Sequence, residues 1–154
     1  MRCIKWLWAS VAGLLAGCTS LVLPGLAGLA GVEAASLGNT PAGAASTWSE
    51  YKLRAARRIH AANPGETFSG PLPDPLQSIP VLEVRLNRDG SVQNIVVLRT
   101  PRQSPETVQM AIRAIRRAAP FEPVGHLPRP WQFSETFLYN ESLKFQLRTL
   151  AEAP

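Results

Sequence analysis

From Val81 to Leu98 the chain reads as two strands on either side of one Asp-Gly pair, the first of them alternating apolar and polar side chains. Leu82, Val84 and Leu86 alternate with Glu83, Arg85 and Asn87. A period of two turns one face of a strand to a core and the other to water. Asp89-Gly90 then supplies the positive φ of a tight hairpin. The return strand runs from about Ser91 to Arg99, and its Ile95-Val96-Val97-Leu98 run predicts a protected place in the sheet.

Helices are expected on the apolar face of that hairpin. Thr47-Trp48-Ser49-Glu50 fits a capping box, with Thr47 as N-cap and Glu50 at the third helical position. Trp48, Tyr51, Ala55 and Ile59 share one helical face, while Lys52, Arg54, Arg57 and Arg58 take much of the rest. Asn63-Pro64-Gly65 stops this helix. Residues 65–80 read as a loop punctuated by Pro71, Pro73, Pro75 and Pro80.

A second helix opens with Ser104 as N-cap, Pro105 at its first position and Glu106 beside its positive end. Val108, Ala111, Ile112, Ile115 and Ala119 form its apolar stripe, and Pro120 ends it. The last part, residues 131–150, holds two alternating pieces. One is Phe133, Glu135, Phe137 and Tyr139; the other sets Leu143, Phe145 and Leu147 against Lys144, Gln146 and Arg148. Asn140-Glu141-Ser142 turns between them, or one long strand bends there. The fold class is therefore α+β: a small antiparallel sheet of three or four strands with two helices packed on one face.

The N-terminus has a different character. Arg2 and Lys5 precede a run from Trp6 to Val32 without a charged residue. Residues 1–32 read as a secretory, lipoprotein or membrane-anchor segment, and all these readings place the folded domain outside the cytoplasm. Leu15-Ala16-Gly17-Cys18 resembles a bacterial lipobox, which makes Cys18 the candidate lipidation site. Alternatively the run stays uncleaved and spans a bilayer, for which about 20 residues suffice. Pro24 and the repeated glycines weaken such a helix. A third reading is cleavage near Val32-Glu33-Ala34, which releases a soluble periplasmic protein. Residues 33–46, rich in Gly, Ala, Ser and Thr, read as a flexible linker, and 47–150 as the domain. Both cysteines, Cys3 and Cys18, fall in the leader, so the domain has no disulfide or thiolate metal site.

The order of elements resembles the periplasmic C-terminal domains of TonB and TolA proteins. The residues that carry the likeness are Asp89-Gly90, the Val-rich strand from Val92 to Leu98, the helix core Ala111-Ile112-Arg113-Ala114-Ile115-Arg116, the element Pro120-Phe121-Glu122-Pro123, and a closing strand with Phe145 and Leu147. The leading helix with Trp48, Tyr51 and Ile59 looks more like TolA. After strand two this chain has Thr100-Pro101-Arg102-Gln103 where the family often has a Ser-Ser-Gly-like connection.

The resemblance implies a non-enzymatic, membrane-anchored module that binds another cell-envelope protein, such as an outer-membrane receptor or a Tol-like component. Family members bind partly by strand addition at a sheet edge. Leu143, Lys144, Phe145, Gln146, Leu147 and Arg148 are the edge expected here, although Lys144 and Arg148 also suit an edge that is merely guarded by charge. Phe145 and Leu147 are expected in the core. Arg113, Arg116 and Arg117 form a candidate face for an acidic partner, against the plainer reading of a solvated helix face. Trp131 reads as a packed ring under the preceding Pro-rich loop, against an exposed binding aromatic.

Two alternatives stand beside this reading. One is a TonB-type energy transducer linking an inner-membrane motor to outer-membrane transport; the other is a structural envelope lipoprotein. The stretch from Cys18 to Thr47 weighs against the transducer, because about thirty residues reach ~100 Å fully stretched and only ~30 Å as a coil. Composition narrows the classes further. The net charge of +5 comes with no Lys/Arg run interleaved with aromatics, which argues against nucleic acid as partner. His60 and His126 lack neighbours at ligand spacing, and there is neither a phosphate-binding Gly loop nor a nucleophile elbow. No catalytic residue, metal or cofactor is expected.

Overall fold

The computed structural model describes residues 43–154. Cys18, the apolar leader and most of the expected linker lie outside the described residues. Helix α1 spans Trp48–Ala61, strand β1 Val81–Leu86, strand β2 Val92–Arg99 and helix α2 Glu106–Ala118. Strands β3, Gln132–Tyr139, and β4, Phe145–Leu147, follow, and a short helix α3, Arg148–Ala151, closes the chain. The four strands form one antiparallel sheet in the order β2-β1-β3-β4. The architecture is the α+β sheet-and-helix arrangement expected from the sequence, with α3 as an addition.

The alternation in β1 translates directly into packing. Leu82, Val84 and Leu86 are buried and Arg85 is exposed. On β3, Phe133, Glu135 and Phe137 share that inner face, because Val84 pairs with Phe133 and Leu82 with Glu135. Tyr51, Ala55 and Ile59 of α1 and Ala111, Ala114 and Ile115 of α2 join them in one core. Full burial of a side chain such as Ile59, Leu82 or Ile115 stabilises the fold by about 1.5–3 kcal/mol. Asn63, at the end of α1, donates from Nδ2 to Ile59 O at 2.7 Å and Ala114 O at 3.1 Å, which ties the two helices together.

The caps differ in detail from the sequence expectation. Thr47 Oγ1 accepts from Glu50 N–H at 3.2 Å, as a capping box requires. The return arm goes one residue upstream, since Ser46 N–H donates to Glu50 Oε2 at 2.8 Å. Ser104 does not cap α2 with its side chain; its Oγ accepts from Gln77 Nε2, and the buried Thr107 hydroxyl donates to Ser104 O. The first turn of α2 is thereby tied to the segment that leads into β1.

The β1–β2 hairpin is closed by three residues. Gly90 N–H donates to Asn87 O and Asn87 N–H to Ser91 O, with Gly90 at φ +84. This is the three-residue loop with a left-handed last residue. Gly90 has a second role, because Phe121 N–H donates to its carbonyl at 2.9 Å. A Cβ at Gly90 would overlap the carbonyl oxygens of Phe121 and Glu122. Phe121 is buried and meets Phe133 edge-to-face at 5.5 Å. The Pro120–Pro123 element thus clamps the hairpin turn to the core.

Candidate functional site: the two sheet edges

A four-stranded open sheet has two edges, here β4 and β2. Unpaired main-chain groups on an edge are what strand addition uses. The two edges differ sharply.

The edge expected from the sequence, Leu143 to Arg148, is short and largely occupied. Only Phe145–Leu147 is strand. Leu143 lies in the turn at φ 54, and Arg148 opens α3. Phe145 is covered on its outer side: its N–H donates to Glu66 O at 2.9 Å, and Phe68 N–H donates to Phe145 O at 3.2 Å. Thr67 forms a parallel bridge with Phe145, and Gln146 Nε2 donates to Gly70 O at 2.9 Å. Phe145 and Leu147 are core side chains, as expected, while Lys144 and Arg148 point to solvent. A partner strand at β4 would first have to displace the 66–70 segment.

The β2 edge is the reverse case, and here the sequence expectation is corrected. Ile95 to Leu98 is not a protected centre: among the described residues β2 pairs with β1 alone, Val97 is exposed, and Leu98 is 54 % exposed. An apolar run marks a strand without saying how many neighbours it has. The direction of the free groups follows from β1. Leu86 N–H donates to Trp131 O and Pro80 O accepts from Phe137 N–H, so even-numbered residues there bond toward β3. Odd-numbered residues bond toward β2. Val96 opposite Glu83 and Asn94 opposite Arg85 therefore turn their main chain to β1. Ile95 and Val97 turn theirs outward. Consistent with this, Ile95 N–H is taken by the neighbouring Asn94 Oδ1 at 2.9 Å.

The remaining sequence candidates scatter. Arg113, Arg116 and Arg117 are all exposed on α2. Arg117 is paired with Glu66 at 2.6 Å, which links it to the segment covering β4, while Arg113 and Arg116 have no ion pair among the described residues. Trp131 is half-buried, with Nε1 donating to Leu127 O at 3.0 Å, and the Arg129 guanidinium stacks over its ring at 4.0 Å. His126 Nε2 is bonded to Ala45 O at 2.8 Å. Glu135 is buried on the core face, with Oε1 accepting from Thr136 N–H at 3.1 Å and Thr149 N–H at 3.2 Å. Burial pushes its pKa up; the hydrogen bond from Thr149 N–H, the Lys52 charge and the Thr136 N–H offset part of that. The carboxylate thus meets the first turn of α3 and explains why a four-residue helix starts there.

Three groups of residues escaped the sequence reading. The Glu66–Phe68 cover is a contact between distant parts of the chain. The β2 edge depends on strand order. Arg88, Gln93 and Arg129 meet only when the hairpin end and the 128–132 segment come together. No protein-family model matches the chain, and neither a curated protein nor a solved structure matches it.

Proposed function

We propose that this chain is a non-enzymatic, membrane-anchored envelope domain of TonB/TolA-like kind that binds another cell-envelope protein on the periplasmic side. The partner contributes an extended segment that adds to β2 as a fifth strand. The observation that supports this reading is the open β2 edge: eight residues long, apolar in its centre, free of acidic residues and, among the described residues, paired on one side only. Such an edge offers the main chain of Val97 and the carbonyl of Ile95, whose N–H Asn94 Oδ1 occupies, and apolar contacts at Val97 and Leu98. An edge of this length left bare is an aggregation hazard, which a partner strand removes.

Photo-crosslinking in cells tests the reading. Crosslinking amino acids are placed in the full chain at Val97 on β2 and, separately, at Gln146 on β4. A defined envelope-protein adduct from position 97 and none from 146 is the expected result. Adducts from 146 alone would overturn the choice of edge, and none from either would remove strand addition altogether.

A further inference from the structure

At the hairpin end of the sheet an open cleft of about 620 Å³ lies between β1, the start of β2 and the 129–132 segment. Three arginines line it, Arg85, Arg88 and Arg129, together with Gln93, Trp131 and Gln132, and no acidic side chain among the described residues does. Arg85 is bonded to Glu83 at 2.9 Å. Arg88 and Arg129 have no ion pair among the described residues. Each packs against a neighbouring group instead. Arg129 lies over the Trp131 ring, whose own Nε1 is fixed on Leu127 O. Arg88 runs against Gly125, where a Cβ would come within 2.6 Å of its Cγ.

Positioned cations with no counter-charge are a receptor for carboxylates or phosphates. The location decides between a peptide and a lipid headgroup. Gln93 is the extra residue of a β-bulge, opposite the step from Arg85 to Leu86, so the cleft is continuous with the β2 edge. The far end of β2 is basic too, with Arg99 followed by Arg102. A strand lying along β2 would meet arginines at both ends and Ile95 to Leu98 between them.

We propose that the cleft takes the carboxylate of an acidic residue on the partner's extended segment, a segment with an apolar centre and acidic ends. This inference rests on the reading of β2 as the docking edge. Calorimetric titration of the full chain in detergent micelles tests it. The probe is a nine-residue peptide with two glutamates at each end of a Val/Thr centre, compared with the same peptide carrying glutamine at those places. The glutamate peptide is expected to bind roughly tenfold more tightly. The double substitution Arg88→Ala and Arg129→Ala, at two exposed positions, removes that advantage with an unchanged circular-dichroism spectrum. Val97→Pro weakens both peptides equally.

Equal affinity for the two peptides, no binding of the glutamate peptide, or an advantage that survives the arginine substitutions would each overturn the cleft. If Val97→Pro still acts in that case, the docking edge stands and only the cleft fails. An arginine-dependent advantage that ignores Val97→Pro keeps the cleft and sinks strand addition. Arginine-dependent binding to phosphatidylglycerol vesicles without a peptide preference would assign the cleft to membrane instead.

Discussion

Gly90→Ala is the most informative single substitution in the hairpin. Two costs add at this position. The left-handed backbone, at φ +84, costs an L-residue about 1–2 kcal/mol. The new methyl also overlaps the carbonyl oxygens of Phe121 and Glu122, which are main chain and cannot simply rotate away. Relief requires the Pro120–Pro123 element to withdraw, with loss of the Phe121 N–H to Gly90 O bond, worth about 1 kcal/mol. The total is about 2–4 kcal/mol. Gly70→Ala is the matched control: its φ is +101, and nothing among the described residues lies within 4 Å of the new methyl, so only the backbone cost applies. Differential scanning calorimetry on the two variants separates the terms. At roughly 4–8 °C per kcal/mol for a domain of about this size, Gly90→Ala loses about 8–32 °C in Tm and Gly70→Ala about half as much, 4–16 °C. Equal losses would refute the clamp between the hairpin turn and the Pro-Phe-Glu-Pro element.

Three further outcomes follow from the packing. Burial raises the Glu135 pKa above its ordinary 4.5, so the ionised form is disfavoured in the fold. The penalty is absent below the unfolded value, grows as pH rises through the folded value and is full above it. Glu135→Gln, which keeps an acceptor for the Thr136 and Thr149 N–H groups, therefore stabilises at about pH 7 and is neutral near pH 3; urea midpoints that shift equally at both pH values would contradict this. Phe121→Ala empties a buried ring site against Phe133 and costs about 3–5 kcal/mol by urea unfolding; a loss under 1 kcal/mol would mean that the element is not part of the core. Arg117→Ala breaks a partly exposed pair with Glu66 and costs at most about 1 kcal/mol, less at high salt; a larger, salt-independent loss would show that the pair holds the β4 cover.

Local order in the sequence carried much of this architecture. The period of two in β1 and β3, the Thr47 cap and the Asp-Gly turn all depend on neighbours within a few residues. The alternation set Glu135 in line with Phe133 and Phe137, but its burial on the inner face is seen only in the structure. What escaped depends on pairing between distant segments. Nothing local tells that Glu66 and Phe68 would cover Phe145, or that Ile95 to Leu98 would end the sheet. The helix at Arg148–Ala151 escaped because four residues are too few for a period, and its start rests on the distant Glu135 carboxylate. The same holds for the arginine cleft, whose members come from three segments.

The most direct measurement is residue-resolved amide hydrogen exchange on the full chain, alone and with a crosslinked partner. The amides of Phe68 and Phe145 are bonded in the free chain and should exchange slowly, whereas the outward Val97 amide should exchange far faster than that of Val96. Partner binding should slow Val97 and leave Phe145 unchanged. A slow Val97 amide in the free chain, or protection gained at Phe145 instead of Val97, would contradict β2 as the open edge.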